Sequence, residues 1–314
     1  MCFGRRSCRF SANSKFQNKF ATLKFLCFRG SEFRTAFQRL GEDLVPVLQS
    51  PVMLFTATST PENEDMLRKT MLLTDPVMVK TNPNRENIFY SKIERPPSQQ
   101  TNDHLDEILA DICTKLVADP STYPLTIVYA DTKVIAYCYW FLDTKLGDQQ
   151  YCKGDKIPEN RIFAQYHQEY SEKMKNLIVT ELCKANSTIR IVFATVALGL
   201  GLDAPHIRRV IHYKPPTTLE QYFQETGRAG RDGEASEAVL YYNNSDIRTN
   251  RPGMTKQMRE FCKSEAICLR KTLLSHFGWD VPTDTDKKEC CTVCSPPTNP
   301  AECGSILPQL GKAD

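Results

Sequence analysis

Residues 189–213 read Ile-Arg-Ile-Val-Phe-Ala-Thr-Val-Ala-Leu-Gly-Leu-Gly-Leu-Asp-Ala-Pro-His-Ile-Arg-Arg-Val-Ile-His-Tyr. Two short apolar runs, Ile189–Thr195 and Arg209–Tyr213, flank a loop that carries Gly199 and Gly201, and each run has the length and β-branched content of a strand. Working outward from them, the pattern repeats on both sides. Upstream, a helix over 103–117 leads into the strand Leu125–Tyr129. Asp131 or Thr132 then caps a helix reaching Leu146, a strand spans 161–165, and Ser171 opens a helix to about Lys184 with Met174, Leu177, Ile178 and Leu182 on one stripe. Downstream, Thr218 with Gln221 three residues later forms a capping-box pattern for a helix that Gly227 ends, and a strand covers 237–242. Strands separated by single helices predict an α/β fold, a doubly wound parallel sheet whose ligands bind at the carboxyl ends of the strands.

The flanks differ in character. Val52–Thr60 reads as a short buried strand running into a turn before Pro61, with a helix over 62–73 behind it; residues 76–102 carry four prolines and read as a linker with one strand near 88–93. After Met254 come two short helices, 255–263 and 265–277, the second stopped by Gly278, and then a Cys-rich loop.

Composition excludes several classes. With 314 residues, 41% hydrophobic and 25% charged, the chain falls among globular proteins of about two domains rather than fibrous or disordered ones. No apolar run approaches the roughly 18 residues of a membrane-spanning helix. The net charge of +3 is unevenly spread: residues 1–40 carry nine Lys or Arg against Glu32 alone, whereas the rest holds 31 basic and 36 acidic groups. A protein that binds nucleic acid by charge alone has a broad positive face, so any such site here is local. The first thirty residues, basic, Ser- and Phe-rich and free of acid, read as a disordered tail or an organelle transit peptide. An odd count of 13 cysteines, six of them after residue 260, fits thiols or metal rather than a disulfide framework.

The chemistry concentrates in Gln224-Glu-Thr-Gly-Arg-Ala-Gly-Arg-Asp-Gly233, where Arg228 and Arg231 stand three apart among three glycines at a helix end. Glycine lets backbone approach a ligand and guanidinium grips phosphate oxygens, so the segment reads as a phosphate-handling loop. Near the end, Cys268 at a helix start faces Cys291-Thr-Val-Cys294, a Cys-x2-Cys knuckle, which makes a Zn²⁺ tetrahedron if a fourth ligand joins. Cys290, Cys262 and Cys303 are each within reach for that place; Cys290 adjoins Cys291, where neighbouring ligands strain the geometry.

The arginine segment resembles motif VI of the RecQ helicases of superfamily 2. In the same register Ala194–Pro205 resembles motif V, Thr56-Ala-Thr58 motif III, Ile127–Tyr129 motif IV, and Phe163–His167 that family's strand-end segment closing on His; the likeness runs from about Ser31 to Pro297. The resemblance implies a RecA-like lobe over 86–250, a remnant of the first lobe over 31–85, a small helical zinc-binding subdomain over 251–299, and tails over 1–30 and 300–314. It implies an ATP-dependent 3′-to-5′ DNA helicase of DNA repair or recombination, nuclear by default, with cytoplasm or an organelle as alternatives. Arg231 would be the arginine finger, Arg228 a second phosphate contact and Gln224 a coupling residue. Gly201 and Asp203 would face the nucleotide, Thr195 the DNA backbone, and Thr56 and Thr58 would couple hydrolysis to DNA grip. Cys268, Cys291 and Cys294 resemble the family's zinc ligands, with Cys290 taken as the fourth.

Cofactors implied are ATP with Mg²⁺ and Zn²⁺, and partners are single-stranded and partly duplex DNA and a first RecA-like lobe, with no membrane. The family's phosphate loop ending Gly-Lys-Ser/Thr and its Asp-Glu-x-His are not in the sequence; the one Gly-Lys is Gly311-Lys312, before Ala313. The chain is therefore expected to match the downstream half of such a helicase and not to hydrolyse ATP by itself. The alternative is a non-catalytic DNA-binding or interaction protein that retains the second lobe and the zinc module.

Overall fold

The computed structural model describes residues 21–24, 39–43, 45–47, 52–56, 58–96, 101–152, 154–199, 202–280 and 290–296. They divide into two compact units, one of residues 1–84 with 274–280, the other of 85–273 with 281–314.

In the first unit, β1 (Ala21–Lys24) pairs in parallel with β2 (Val52–Phe55). Within the stretch expected as a tail, residues 21–24 thus form a strand; residues 1–20 and 25–30 lie outside the described residues. A one-turn helix α1 (Leu40–Asp43) lies between them in sequence. α2 (Pro61–Thr70) begins at Thr60, whose hydroxyl accepts from Asn63 N at 3.2 Å, with Pro61 at the first helical position where no N–H is needed. It ends three residues before the expected Leu73, and Leu72 and Asp75 take left-handed backbone (φ 51° and 49°), which breaks the helix.

The second unit is built on six parallel strands: β3 (Ile88–Glu94), β4 (Thr126–Tyr129), β5 (Phe163–Tyr166), β6 (Ile191–Ala194), β7 (Arg209–His212) and β8 (Ser236–Tyr242), in the order β3-β8-β7-β4-β6-β5. The helices are α3 (Thr101–Ala118), α4 (Thr132–Leu146), α5 (Glu172–Leu182) and α6 (Leu219–Thr226). Caps set their starts: Asp131 accepts from Val134 N, Ser171 from Met174 N and Thr218 from Gln221 N. Alternation sorts strand residues onto the two faces. Ile127, Tyr129, Val192, Ala194, Val210, Ala238 and Leu240 join one core, and Val128, Ile191, Phe193, Ile211, Val239 and Tyr241 the other, where α3 and α4 pack. At ~25 cal/mol per Å² of apolar surface removed from water, these two layers are the main force holding the unit together.

The strand expected near 88–93 is present as β3, which closes the sheet edge beside β8 with Ile88, Phe89 and Tyr90 buried. The C-terminal helices α7 (Lys256–Lys263) and α8 (Leu269–His276) of the expected small helical subdomain pack on the sheet. Met254, Met258, Phe261, Cys262, Leu269 and Leu273 share the first core with β4, β6 and β8, so sheet and helices bury one another. α8 starts at Leu269, four residues after the position expected for it.

Candidate functional site

Chain direction fixes where the arginines lie. α6 leaves the carboxyl end of β7 at Thr218 and runs back along the sheet, so Gly227–Gly233 arrives at the amino ends of the strands. There Gly230 N donates to Ile207 O at 2.7 Å, and Ser236 N, at the start of β8, donates to Asn87 O at 2.8 Å. The expected site at the carboxyl ends is thus corrected for this loop, which occupies the opposite pole. Thr195, at the end of β6, stays at the carboxyl pole, where its N–H donates to Tyr166 O and its hydroxyl accepts from Ala197 N at 3.3 Å. A helical turn, Val196–Gly199, then begins the return to the amino pole.

The segments resembling motifs V and VI meet on that return. Arg228 Nη2 donates to Gly199 O at 2.6 Å, and Arg231 Nη1 donates to Leu202 O at 2.8 Å and to Asp203 Oδ1 at 2.9 Å. The two arginines differ in environment. Arg228 is 4% exposed, its Nε is buried without a hydrogen-bond partner, and it makes no ion pair among the described residues. Arg231 is half-buried, and the Asp203 carboxylate it meets is largely in water, where such a pair is worth little, at most about 1 kcal/mol. Gly201 lies outside the described residues. Gln224 is exposed on the last turn of α6, while its neighbour Glu225 turns inward to His212 Nε2 at 2.8 Å and accepts from Gln221 Nε2 at 2.9 Å, stapling α6 to β7. His212 stacks on Tyr129 with ring centroids 5.1 Å apart.

Gly230 has φ +56°, and a Cβ there would come within 2.3 Å of Asn87 Nδ2 and 2.5 Å of Ser236 Oγ. Only glycine fits both the backbone and the space. Asn87 Nδ2 donates to Gly230 O at 2.8 Å and Glu234 O at 2.7 Å, and Arg85 Nη2 donates to Gly230 O and to Ala229 O. Burial lowers the pKa of the Arg85 guanidinium from its ordinary value. Asp232 adds a bidentate contact with Arg208, and its carboxyl lies below the ordinary range, held there by hydrogen bonds from Arg208 and the Glu234 amide against the opposing effect of burial. Sequence reasoning missed Arg85 and Asn87, which fell in the supposed linker; their partners lie more than 140 residues on, and no local pattern signals such a pairing.

In the first unit, Thr56 Oγ1 donates to Thr58 O at 3.0 Å and accepts from Thr58 N at 3.3 Å, a local turn at the end of β2. Ala57 between them lies outside the described residues.

The cysteines converge. Sγ atoms of Cys268, Cys290, Cys291 and Cys294 all lie within 4.8 Å of one another, with Cys268–Cys290 at 3.4 Å and Cys268–Cys291 at 3.8 Å. These are no disulfides, which need about 2.05 Å. A tetrahedron with metal–sulfur bonds of about 2.3 Å has sulfurs roughly 3.8 Å apart, so the four thiols fit a Zn²⁺ ion. Cys290 lies with the other three, beside its neighbour Cys291; Tyr90 N donates to Cys290 O and Thr292 N to Tyr90 O, which lays the knuckle along β3. Hydrogen bonding with Cys268 and Cys290 pulls Cys291 well below an ordinary thiol, while the same contacts push Cys290 up. Cys262 is not in the cluster; burial raises it to about 12. Cys303 lies outside the described residues. Arg270, 1% exposed, donates from Nε to Cys290 Sγ at 3.4 Å.

A six-stranded parallel sheet with an arginine–glycine loop and a four-thiol cluster defines a class. Residues 110–233 match the family model of the helicase conserved C-terminal domain. Among curated proteins the chain is 27% identical over 278 residues to the ATP-dependent helicase SGS1 of Saccharomyces cerevisiae, covering 83% of this chain and 18% of that protein. It is 27% identical over 280 residues to the ATP-dependent DNA helicase RecQ of Bacillus subtilis, covering 84% and 42%. Among solved structures it is similar to the DUF1998 helicase MrfA bound to DNA and AMPPNP, with TM-score 0.50 and 19% identity over 73% of this chain and 31% of that one, a likeness of fold. Residues 110–233 thus carry the pattern of a helicase C-terminal domain, and over 83–84% of its length the chain is similar to RecQ-type helicases. It spans less than half the length of these relatives.

Proposed function

We propose that this chain supplies the second RecA-like lobe and the zinc module of an ATP-dependent DNA helicase moving 3′ to 5′, acting in DNA repair or recombination in the nucleus. The observation that carries the reading is Arg228: a buried guanidinium with an unpartnered Nε and no carboxylate among the described residues. A buried cation without a counter-charge is costly, and a phosphate oxygen is the anion that offsets it.

Arg231 serves as the arginine finger. Its exposed contact with Asp203 is weak enough to exchange for a γ-phosphate, and neutralising the charge that develops there is worth about 10³ to 10⁵ in rate. Gly199 O holds Arg228 in place, Gln224 on the exposed side of α6 reports nucleotide state to the facing lobe, and Asp203 with Gly201 lines the nucleotide side. Mg²⁺ and the main ATP pocket belong to the lobe that carries a phosphate loop. At the opposite pole Thr195 meets the DNA backbone, with hydroxyls and amides rather than a lysine field making the contacts. Thr56 and Thr58 pass hydrolysis to DNA grip. Zn²⁺, held by Cys268, Cys290, Cys291 and Cys294, supplies a structural crosslink.

Polarity is tested on an assembly containing both lobes, with duplexes bearing a single-stranded tail at one end. Unwinding of the 3′-tailed duplex and not of the 5′-tailed one is expected; the reverse preference overturns the reading. DNA binding that persists in the absence of any nucleotide-dependent unwinding favours the non-catalytic alternative.

A further inference from the structure

Between the cysteine cluster and the arginine loop runs an unbroken set of hydrogen bonds. The guanidinium of Arg270 presents its donors in one rigid plane: Nε meets Cys290 Sγ at 3.4 Å, Nη1 meets Arg85 O, and Nη2 meets Ile88 O at 2.6 Å. Its face lies over the Tyr90 ring, 5.3 Å from the centroid. One buried side chain thus fixes residues 85–88 with respect to the cluster. From that same segment Arg85 and Asn87 reach out and converge on the carbonyl of Gly230, between the two loop arginines. Asn87 also takes Glu234 O, closing the far side of the loop.

We propose that Arg85 and Asn87 are positioning residues for the loop bearing Arg228 and Arg231, and that Arg270 makes metal occupancy of the cysteine cluster part of that positioning. Occupancy matters because an ion bonded to all four sulfurs holds them far more firmly than the weak thiol hydrogen bonds that link them without it. When it leaves, Cys290 is no longer fixed, the sulfur end of the Arg270 fork loosens, and the carbonyls of Arg85 and Ile88 lose their anchor. The clamp on Gly230 then relaxes. Gly230 is the hinge at which this is felt, since its left-handed backbone and the Asn87 amide packed against it admit one arrangement. A contiguous network with a defined element at each end is the physical form such coupling takes.

The inference goes beyond the functional reading above, and its test uses no nucleotide, so the two fail separately. Amide hydrogen exchange is followed by mass spectrometry on the zinc-loaded chain, comparing peptides over 228–234 with the buried strand 191–194 as reference. Asn87→Ala and Arg85→Ala are expected to speed exchange over 228–234 by about 10-fold while the reference is unchanged and zinc content stays at one per chain. Arg85→Lys, which keeps a donor, restores most of the protection. Arg270→Gln, and zinc removal from the unsubstituted chain by a chelator, reproduce the acceleration, and chelation adds nothing further in Asn87→Ala. The proposal is overturned if chelation exposes 290–294 and leaves 228–234 as protected as before, or if every variant speeds the reference strand equally, which is what general destabilisation does. Should Arg270→Gln not fold, the Asn87→Ala and chelation arms decide alone.

Discussion

The arginine loop and the cysteine cluster lie in one compact unit and are held by opposite means. The loop is fixed largely by neutral carbonyls, with Gly199, Leu202, Ala229, Gly230 and Glu234 each accepting from a side chain, and by the Arg208–Asp232 pair, so its geometry exists without a ligand. The cluster gathers four thiols within 4.8 Å of one another, and as thiolates they would repel unless an ion sat between them. The difference teaches where each region is vulnerable. Removing a group from the cluster costs stability first, whereas removing one from the loop costs chemistry first.

The largest effect on stability belongs to the cluster. Cys291→Ser is expected to release Zn²⁺ and destabilise the packing of α7 and α8 on the sheet by about 3 kcal/mol or more, read by denaturant titration with zinc in slight excess. Equal stability with and without a chelator would erase the contrast. Next stands Gly230→Ala, which forces a Cβ against Asn87 and Ser236 in left-handed backbone; a loss of about 2–4 kcal/mol follows, and Asn87→Ala in the same chain recovers part of it.

Arg228→Met sharpens the comparison from the other side. It replaces an uncompensated buried cation with an apolar chain of similar length, so stability is expected to change by less than about 1 kcal/mol or to rise, while nucleotide-dependent activity of a two-lobed assembly falls. A loss of several kcal/mol would mean that Arg228 is a structural residue. The smallest stability effect is that of Arg231→Ala, within about 0.5 kcal/mol in a thermal melt, because the Asp203 carboxylate it meets is exposed.

Legibility in the sequence follows the range of the interactions. β4, β6, β7 and α4 are set by apolar runs and by caps three residues away, Asp131 to Val134 and Thr218 to Gln221, and the structure places them within one to three residues of the pattern. The loop Gln224–Gly233 was legible because its glycines and arginines are contiguous. What could not be read is what distant chain supplies. β1 shows itself as a strand only beside β2, the place of β3 at the sheet edge shows only beside β8, and Arg85, Asn87 and Arg270 acquire meaning from partners on other elements. The cluster is an intermediate case: Cys291 and Cys294 announce a knuckle, yet choosing Cys290 over Cys262 needed the backbone pairing of Cys290 and Thr292 with Tyr90. The pole of the sheet was misjudged because a general rule about strand ends was applied to a loop that follows a returning helix.

The most direct measurement is DNA-stimulated ATP hydrolysis by an assembly containing both lobes, comparing the unsubstituted chain with Arg231→Ala at matched DNA affinity. If Arg231 neutralises charge on the transferring phosphoryl group, turnover falls by about 10³-fold or more with the melting temperature unchanged. Hydrolysis within a few-fold of the unsubstituted assembly would contradict the account.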